Sequence, residues 1–160
     1  MTRHLAGITS VQRSRRPITL MPPFFAGRGR QRMNVYLIDD DAALRQAVAR
    51  FMERFGFLVL GEASNGADAL AALSDPAVSL RPDLIISDCQ MPVMDGLSFA
   101  RRFRALGRPT PMLMLSGQDS ADVVVAAIDA GFNAFVPKPV TGQLLAGAIR
   151  LVLPDFPLAA

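Results

Sequence analysis

Cysteine is nearly absent from the 160 residues: Cys89 stands alone. A single thiol excludes an intrachain disulfide framework, and the chain must hold itself together by its core. Histidine is equally scarce. The only one, His4, sits near the N-terminus, which leaves no basis for a His-ligated metal site or a histidine-driven mechanism in the body. No apolar run approaches the roughly 20 residues that cross a bilayer, and nothing near the N-terminus has the apolar core of a secretory signal. Acidic residues are missing from residues 1–32, which carry seven arginines (Arg3, Arg13, Arg15, Arg16, Arg28, Arg30, Arg32).

That asymmetry makes the overall pI of about 10.0 misleading. Taking those seven from the 17 Lys and Arg leaves ten basic against 14 acidic residues, so the body has a net charge of −4. Direct nucleic-acid binding needs a basic face, which argues against DNA contact by the body. Transit peptides and nucleic-acid-binding arms share the acid-free, Arg-rich composition of residues 1–32. "PITLMPPFFAGRGRQR" is nevertheless broken by Pro and Gly and has no helical or strand period. With Met33 opening "MNVYLIDDD", the expectation for residues 1–32 is a disordered basic tail or a translation start assigned upstream of the true one.

What is present is core. Hydrophobic residues make up 51% and charged residues 19% of the chain, enough apolar surface for one folded domain. Short apolar runs alternate with helix-period segments. Strands are expected at residues 35–38, 58–63, 83–87, 112–116 and 134–136. Helices are expected at 42–55, 66–73, 96–106, 119–130 and 141–153. The first helix sets Leu44, Val48, Phe51 and Phe55 on one face. Asp41 and Asp119 are placed to cap the first and fourth helices, and Gly131 to stop the fourth. Asp95-Gly96 reads as a turn and cap. Five βα units in series predict a doubly wound five-stranded parallel sheet of the α/β class, covered on both faces.

In such sheets reacting groups gather beyond the carboxyl ends of the strands. Asp39, Asp40 and Asp41 follow the first strand, Asp88 ends the third, Ser116-Gly117 the fourth, and Lys138-Pro139 the fifth. Carboxylates about 4 Å apart repel by roughly 4 kcal/mol per pair at an effective dielectric near 20. A hard divalent cation such as Mg²⁺ relieves this, typically held by one or two carboxylates and a phosphate. A lysine and a hydroxyl facing the same point suit the remaining phosphoryl oxygens.

The ordered set "LIDDD", "LIISDCQMPVMDG", "MLS" and "FVPKP" resembles the receiver domain of two-component response regulators, a chemotaxis-regulator-like, flavodoxin-like (βα)5 fold. The resemblance spans about residues 34–153, and the receiver is expected over 33–153 with a short tail at 154–160. It implies that Asp88 is the phosphoacceptor, that Asp39, Asp40, Asp88 and the main-chain carbonyl of Gln90 hold Mg²⁺, that Ser116 bonds a phosphoryl oxygen and that Lys138 pairs with its charge. It further implies a cis Lys138–Pro139 peptide, a cytoplasmic location, and no activity beyond Mg-dependent self-phosphorylation and autodephosphorylation. The donor would be a histidine kinase or histidine phosphotransfer protein. A downstream protein would bind the fourth helix, fifth strand and fifth helix, around Val123 to Gly147, and a homodimer of the phosphorylated form is left open. With only "LPDFPLAA" following, too short for a helix-turn-helix, the implied type is a stand-alone receiver.

Two departures matter. Phe135 stands where the family often has Tyr, which removes a hydroxyl but keeps a ring that could repack with Ser116. Gln90 lies where family side chains line the path of hydrolytic water. Cys89 and the methionines are expected to be packing. The enzyme alternative is a haloacid-dehalogenase-like phosphatase with Asp39-x-Asp41, but it lacks the acidic motif expected after Lys138, where only Asp155 follows. A phosphate-independent interaction module is the other alternative. A dinucleotide site has little support, because "GRGRQR" follows no strand and lacks the G-x-G-x-x-G spacing.

Overall fold

The computed structural model describes residues 32–159, so the expected basic tail lies outside the described residues apart from Arg32. Each expected apolar run is a strand: β1 (Asn34–Ile38), β2 (Leu58–Ala63), β3 (Leu84–Asp88), β4 (Met112–Ser116) and β5 (Ala134–Pro137). The helices between and after them are α1 (Ala42–Arg54), α2 (Gly66–Ser74), α3 (Gly96–Ala105), α4 (Ala121–Ala130) and α5 (Gly142–Val152). All neighbouring strands pair in parallel, in the order β2-β1-β3-β4-β5.

Alternation along the strands divides the interior in two. Val35 and Leu37, Leu84 and Ile86, and Leu113 and Leu115 face α1 and α5, where Val48, Met52, Leu145 and Ile149 complete one core. Tyr36 and Ile38, Ile85, and Met112 and Met114 face the other way, against Leu73, Phe99, Phe103 and Ala127 from α2, α3 and α4. Burial on both faces is why these strands read as continuous apolar runs rather than as alternating ones. On α1 the expected stripe is only partly right: Val48 and Met52 are the buried residues, while Leu44, Phe51 and Phe55 pack at its edges.

The caps are local chemistry. Asp41 accepts the Ala43 and Leu44 amides at the start of α1, and Asp95 accepts the Ser98 amide at the start of α3. The expected cap at Asp119 is corrected: α4 starts at Ala121 after Ser120, which makes no side-chain cap bond. At its other end Gly131 takes the left-handed conformation, φ 103°, that stops the helix. There Arg104 of α3 donates from Nε and Nη2 to the Gly131 carbonyl (3.1 and 2.7 Å) and from Nη1 to the carbonyls of Arg108 and Thr110 (2.9 and 2.7 Å). After α5 the chain folds back: Phe156 packs on Phe57 with ring centroids 4.5 Å apart, and the Ala159 amide donates to the Phe55 carbonyl.

Strand order reverses between the neighbouring strands β1 and β3: β1 leads on to β2 on one side and β3 to β4 on the other. Chain crossovers leave in opposite directions there and open a crevice beyond the strand ends, the place where α/β sheets bind ligands. Asp39 follows β1 and Asp88 ends β3, one on each side of that crevice.

Candidate functional site

Sheet pairing sets the positions of the tips. Asp88 pairs in register with Leu115 and Ser116 with Pro137, so β3, β4 and β5 end side by side. The Cys89 amide donates to the Leu115 carbonyl (3.0 Å) and the Lys138 amide to the Ser116 carbonyl (2.8 Å), which extends the pairing by one step at each tip. The Lys138–Pro139 peptide is cis.

One carboxylate oxygen each from Asp39, Asp40 and Asp88 lie within 4.8 Å of one another. Asp39 and Asp88 are 3% and 5% exposed, whereas Asp40 is open to solvent. The Lys138 ammonium lies 2.8 Å from Asp88 Oδ1 and 3.5 Å from Asp39 Oδ2. Asp39 Oδ1 accepts the Asp41 amide at 2.8 Å, whereas Asp39 Oδ2 is buried, makes no hydrogen bond of good geometry and has only the long Lys138 ion pair. Three carboxylates this close, two of them buried and sharing one ammonium, are costly together unless a further cation joins them. All three donors are hard oxygens, which suits Mg²⁺. The residues present therefore fit the ion.

Burial pushes the Asp39 carboxyl above the usual carboxylate range; the Asp41 amide offsets part of this, the Asp88 charge adds to it, and Lys138 opposes it. For Lys138 burial works downward, but the hydrogen bond to Asp88 and the charges of Asp39 and Asp88 outweigh it and hold the ammonium above its ordinary value. Cys89, next to the pocket, has its thiol pushed up by burial and then by the charges of Asp88 and Asp95, so it is a poor nucleophile at neutral pH.

Ser116 is buried at 3% exposure, and its hydroxyl oxygen accepts the Gln118 amide (3.0 Å) with the Cys89 thiol alongside. Gln90 is exposed in the β3–α3 loop. That loop must turn back across the end of β3. Gly96 makes the crossing, its amide donating to the Cys89 carbonyl, and a methyl group there would collide with the Asp88 carbonyl. Val93 in the same loop is 85% exposed in the left-handed region (φ 66°), unusual for a β-branched residue. Nothing in its residue type signals this.

Of the residues singled out in the sequence, Asp39, Asp40, Asp88 and Lys138 come together, Ser116 stands on the adjoining tip, and Asp41 and Asp95 are spent on caps. The phosphatase pattern Asp39-x-Asp41 loses its second acid to that cap. Sequence reasoning missed Arg45, whose Nη1 donates to the Asp39 carbonyl and whose Nε pairs with Glu62, both at 2.7 Å. An arginine one turn after the acids was the only available signal.

A family model for the response regulator receiver domain matches residues 35–150. The chain is 36% identical over 121 residues to the response regulator MprA of Mycobacterium avium, covering 76% of this chain and 51% of that protein. It is 35% identical over the same length to MprA of Mycobacterium leprae. The chain thus spans about half the length of the curated relatives it matches. Among solved structures, the chemotaxis response regulator CheY4 of Vibrio cholerae is 31% identical, with a TM-score of 0.69 over 77% of this chain and 100% of that one. The signal receiver domain of an HD domain-containing protein from Pseudomonas fluorescens is 26% identical, with a TM-score of 0.67 over 78% of this chain and 96% of that one.

Proposed function

The chain belongs to the response regulator receiver domain family, and from that premise we propose that Asp88 takes a phosphoryl group from a phosphohistidine and that the change is read through altered protein contacts. Receiver domains act in two-component signalling and are not conventional enzymes. The observation that carries the residue assignment is the Lys138 ammonium, 2.8 Å from Asp88 Oδ1, within a cluster of three carboxylates of which one buried oxygen makes no hydrogen bond.

An Asp88 carboxylate oxygen attacks phosphorus; the P–O bond forms as the P–N bond to the donor histidine breaks, and the proton needed by the departing imidazole comes from the donor side. Lys138 shifts its ammonium from the Asp88 carboxylate to a phosphoryl oxygen, keeping one charge-assisted bond throughout. The Ser116 hydroxyl donates to a second phosphoryl oxygen while it still accepts from Gln118. Asp39, Asp40, Asp88 and the Gln90 main-chain carbonyl would hold Mg²⁺, which when bound neutralises the charge that accumulates on the transferring group. In-line attack by water at phosphorus reverses the modification, and the Gln90 side chain would tune that rate.

Readout follows from the sheet. Met114 and Phe135 pair across β4 and β5, two residues before Ser116 and Pro137. A pull on the Ser116 hydroxyl is therefore transmitted to a ring packed, partly buried, against the α3–α4 core. Phosphorylation shifts the population of arrangements of the α4–β5–α5 face, around Val123 to Gly147, and a partner protein selects one. Val125, Ile128 and Leu144 are exposed there and offer it apolar contact. A receiver spanning residues 33–153, a sensor histidine kinase or histidine phosphotransfer protein as donor and a cytoplasmic setting complete the reading. Among the described residues no helix is long and apolar enough to cross a membrane. The body's net negative charge speaks against direct DNA contact.

Peptide mapping after treatment with acetyl phosphate and Mg²⁺ tests the assignment. The label is expected on Asp88 and absent from Asp88→Asn. Label on Asp39 favours the phosphatase chemistry, and a partner affinity unchanged by Asp88→Asn favours a phosphate-independent module.

A further inference from the structure

We propose that Arg45 is a positioning residue for the divalent cation, acting through the backbone that carries Asp39 and Asp40; this rests on the receiver reading of the site. The β1–β2 ladder ends at the Ile38–Ala63 pair, followed by one bond from the Asp39 amide to the Ala63 carbonyl (3.1 Å). Beyond that point the sheet no longer determines the direction of the chain. The next backbone acceptor, the Asp39 carbonyl, is held by Arg45 Nη1 at 2.7 Å, and the same guanidinium is held by Glu62 Oε2 through Nε at 2.7 Å. The Arg45 side chain is 19% exposed and that of Glu62 35%, so the fork is partly shielded from water.

This grip matters more for Asp40 than for Asp39. Asp39 has its own tether, since Oδ1 accepts the Asp41 amide. Asp40 is exposed, and among the described residues no hydrogen bond fixes its carboxylate. Its position follows from the Asp39–Asp40 peptide, whose carbonyl Arg45 holds. Mg²⁺ demands near-ideal octahedral geometry at about 2.0–2.1 Å, so a small rotation of that peptide misplaces a ligand. Arg45 has the geometry for this task and lysine does not: a planar fork bonds two acceptors in fixed directions, whereas an ammonium does not enforce both. Arg45 touches neither the cation nor the phosphoryl group in this account.

The test is Mg²⁺ titration of wild type, Arg45→Met, Arg45→Lys and Glu62→Gln, followed by amide shifts, with thermal midpoints in chelator measured beside it. Arg45→Met is expected to bind Mg²⁺ about tenfold more weakly, at the low end for loss of an outer partner. Arg45→Lys should recover part of that loss, and Glu62→Gln, which keeps an acceptor for Nε, should lose less than Arg45→Met. A purely structural role predicts lower midpoints in chelator with unchanged Mg²⁺ affinity of the folded protein, and that result overturns the inference. Wild type that takes up no Mg²⁺ would instead sink the receiver reading of the site.

Discussion

Replacing Asp39 with Asn should stabilise the metal-free protein while ruining its cation site. Asp39 is 3% exposed, and its oxygens lie within 4.8 Å of those of two other carboxylates. At that separation each pair repels by about 3 kcal/mol at an effective dielectric near 20. Lys138 at 3.5 Å returns about 5 kcal/mol, more than one such interaction but less than two. The net penalty is a small difference, about 1–2 kcal/mol, enlarged by the burial that already holds the carboxyl above its ordinary range. Asn keeps an oxygen for the Asp41 amide and supplies N–H donors to the neighbouring carboxylates. For a domain of this size the gain corresponds to a rise of about 3–8 °C in Tm.

The sign with pH follows. A carboxyl with a raised folded-state pKa contributes stability that is fully present below its unfolded value and is lost as pH rises through the folded one. The advantage of Asn is therefore absent in acid and opens as pH rises through the elevated Asp39 pKa. Thermal melts in chelator from acid to neutral pH measure it, and saturating Mg²⁺ should shrink or reverse the gap, because only wild type gains ligand stabilisation. An Asn variant less stable than wild type in chelator at neutral pH, or a gap independent of pH, refutes the reasoning.

Gly96→Ala should cost about 2 kcal/mol or more, since its methyl group meets the Asp88 carbonyl; urea denaturation reads the cost, and Mg²⁺ affinity should fall with it. Arg104→Met leaves the Gly131, Arg108 and Thr110 carbonyls without their donor, and a loss of about 2–3 kcal/mol with an unchanged urea m-value is expected. A phosphate mimic should move the Phe135 ring signals in NMR; unchanged signals would remove the ring from the switch.

The fold was legible because each central strand is buried on both faces and so reads as an unbroken apolar run; the bounds of Leu58–Ala63 and Met112–Ser116 coincide with expectation. The site residues were legible because parallel topology turns strand ends into neighbours. Features depending on three-dimensional partners were not legible. On α1 Met52 is buried with Val48 while Phe51 and Phe55 pack at the edge of the core, a rotation of the stripe by about one position that periodicity alone does not resolve. Ser120 and Asp119 are both plausible caps by type, and only the path of the β4–α4 loop decides between them. Arg45 and Arg104 bond main-chain carbonyls, which are present at every residue and leave no pattern in side-chain chemistry.

The most direct measurement of the central claim is fluorine NMR of beryllium fluoride added to the protein with and without Mg²⁺. The account predicts a bound resonance that needs Mg²⁺ and is absent from Asp88→Asn. A wild-type protein that binds no beryllium fluoride in the presence of Mg²⁺, or an Asp88→Asn variant that binds it equally well, contradicts it.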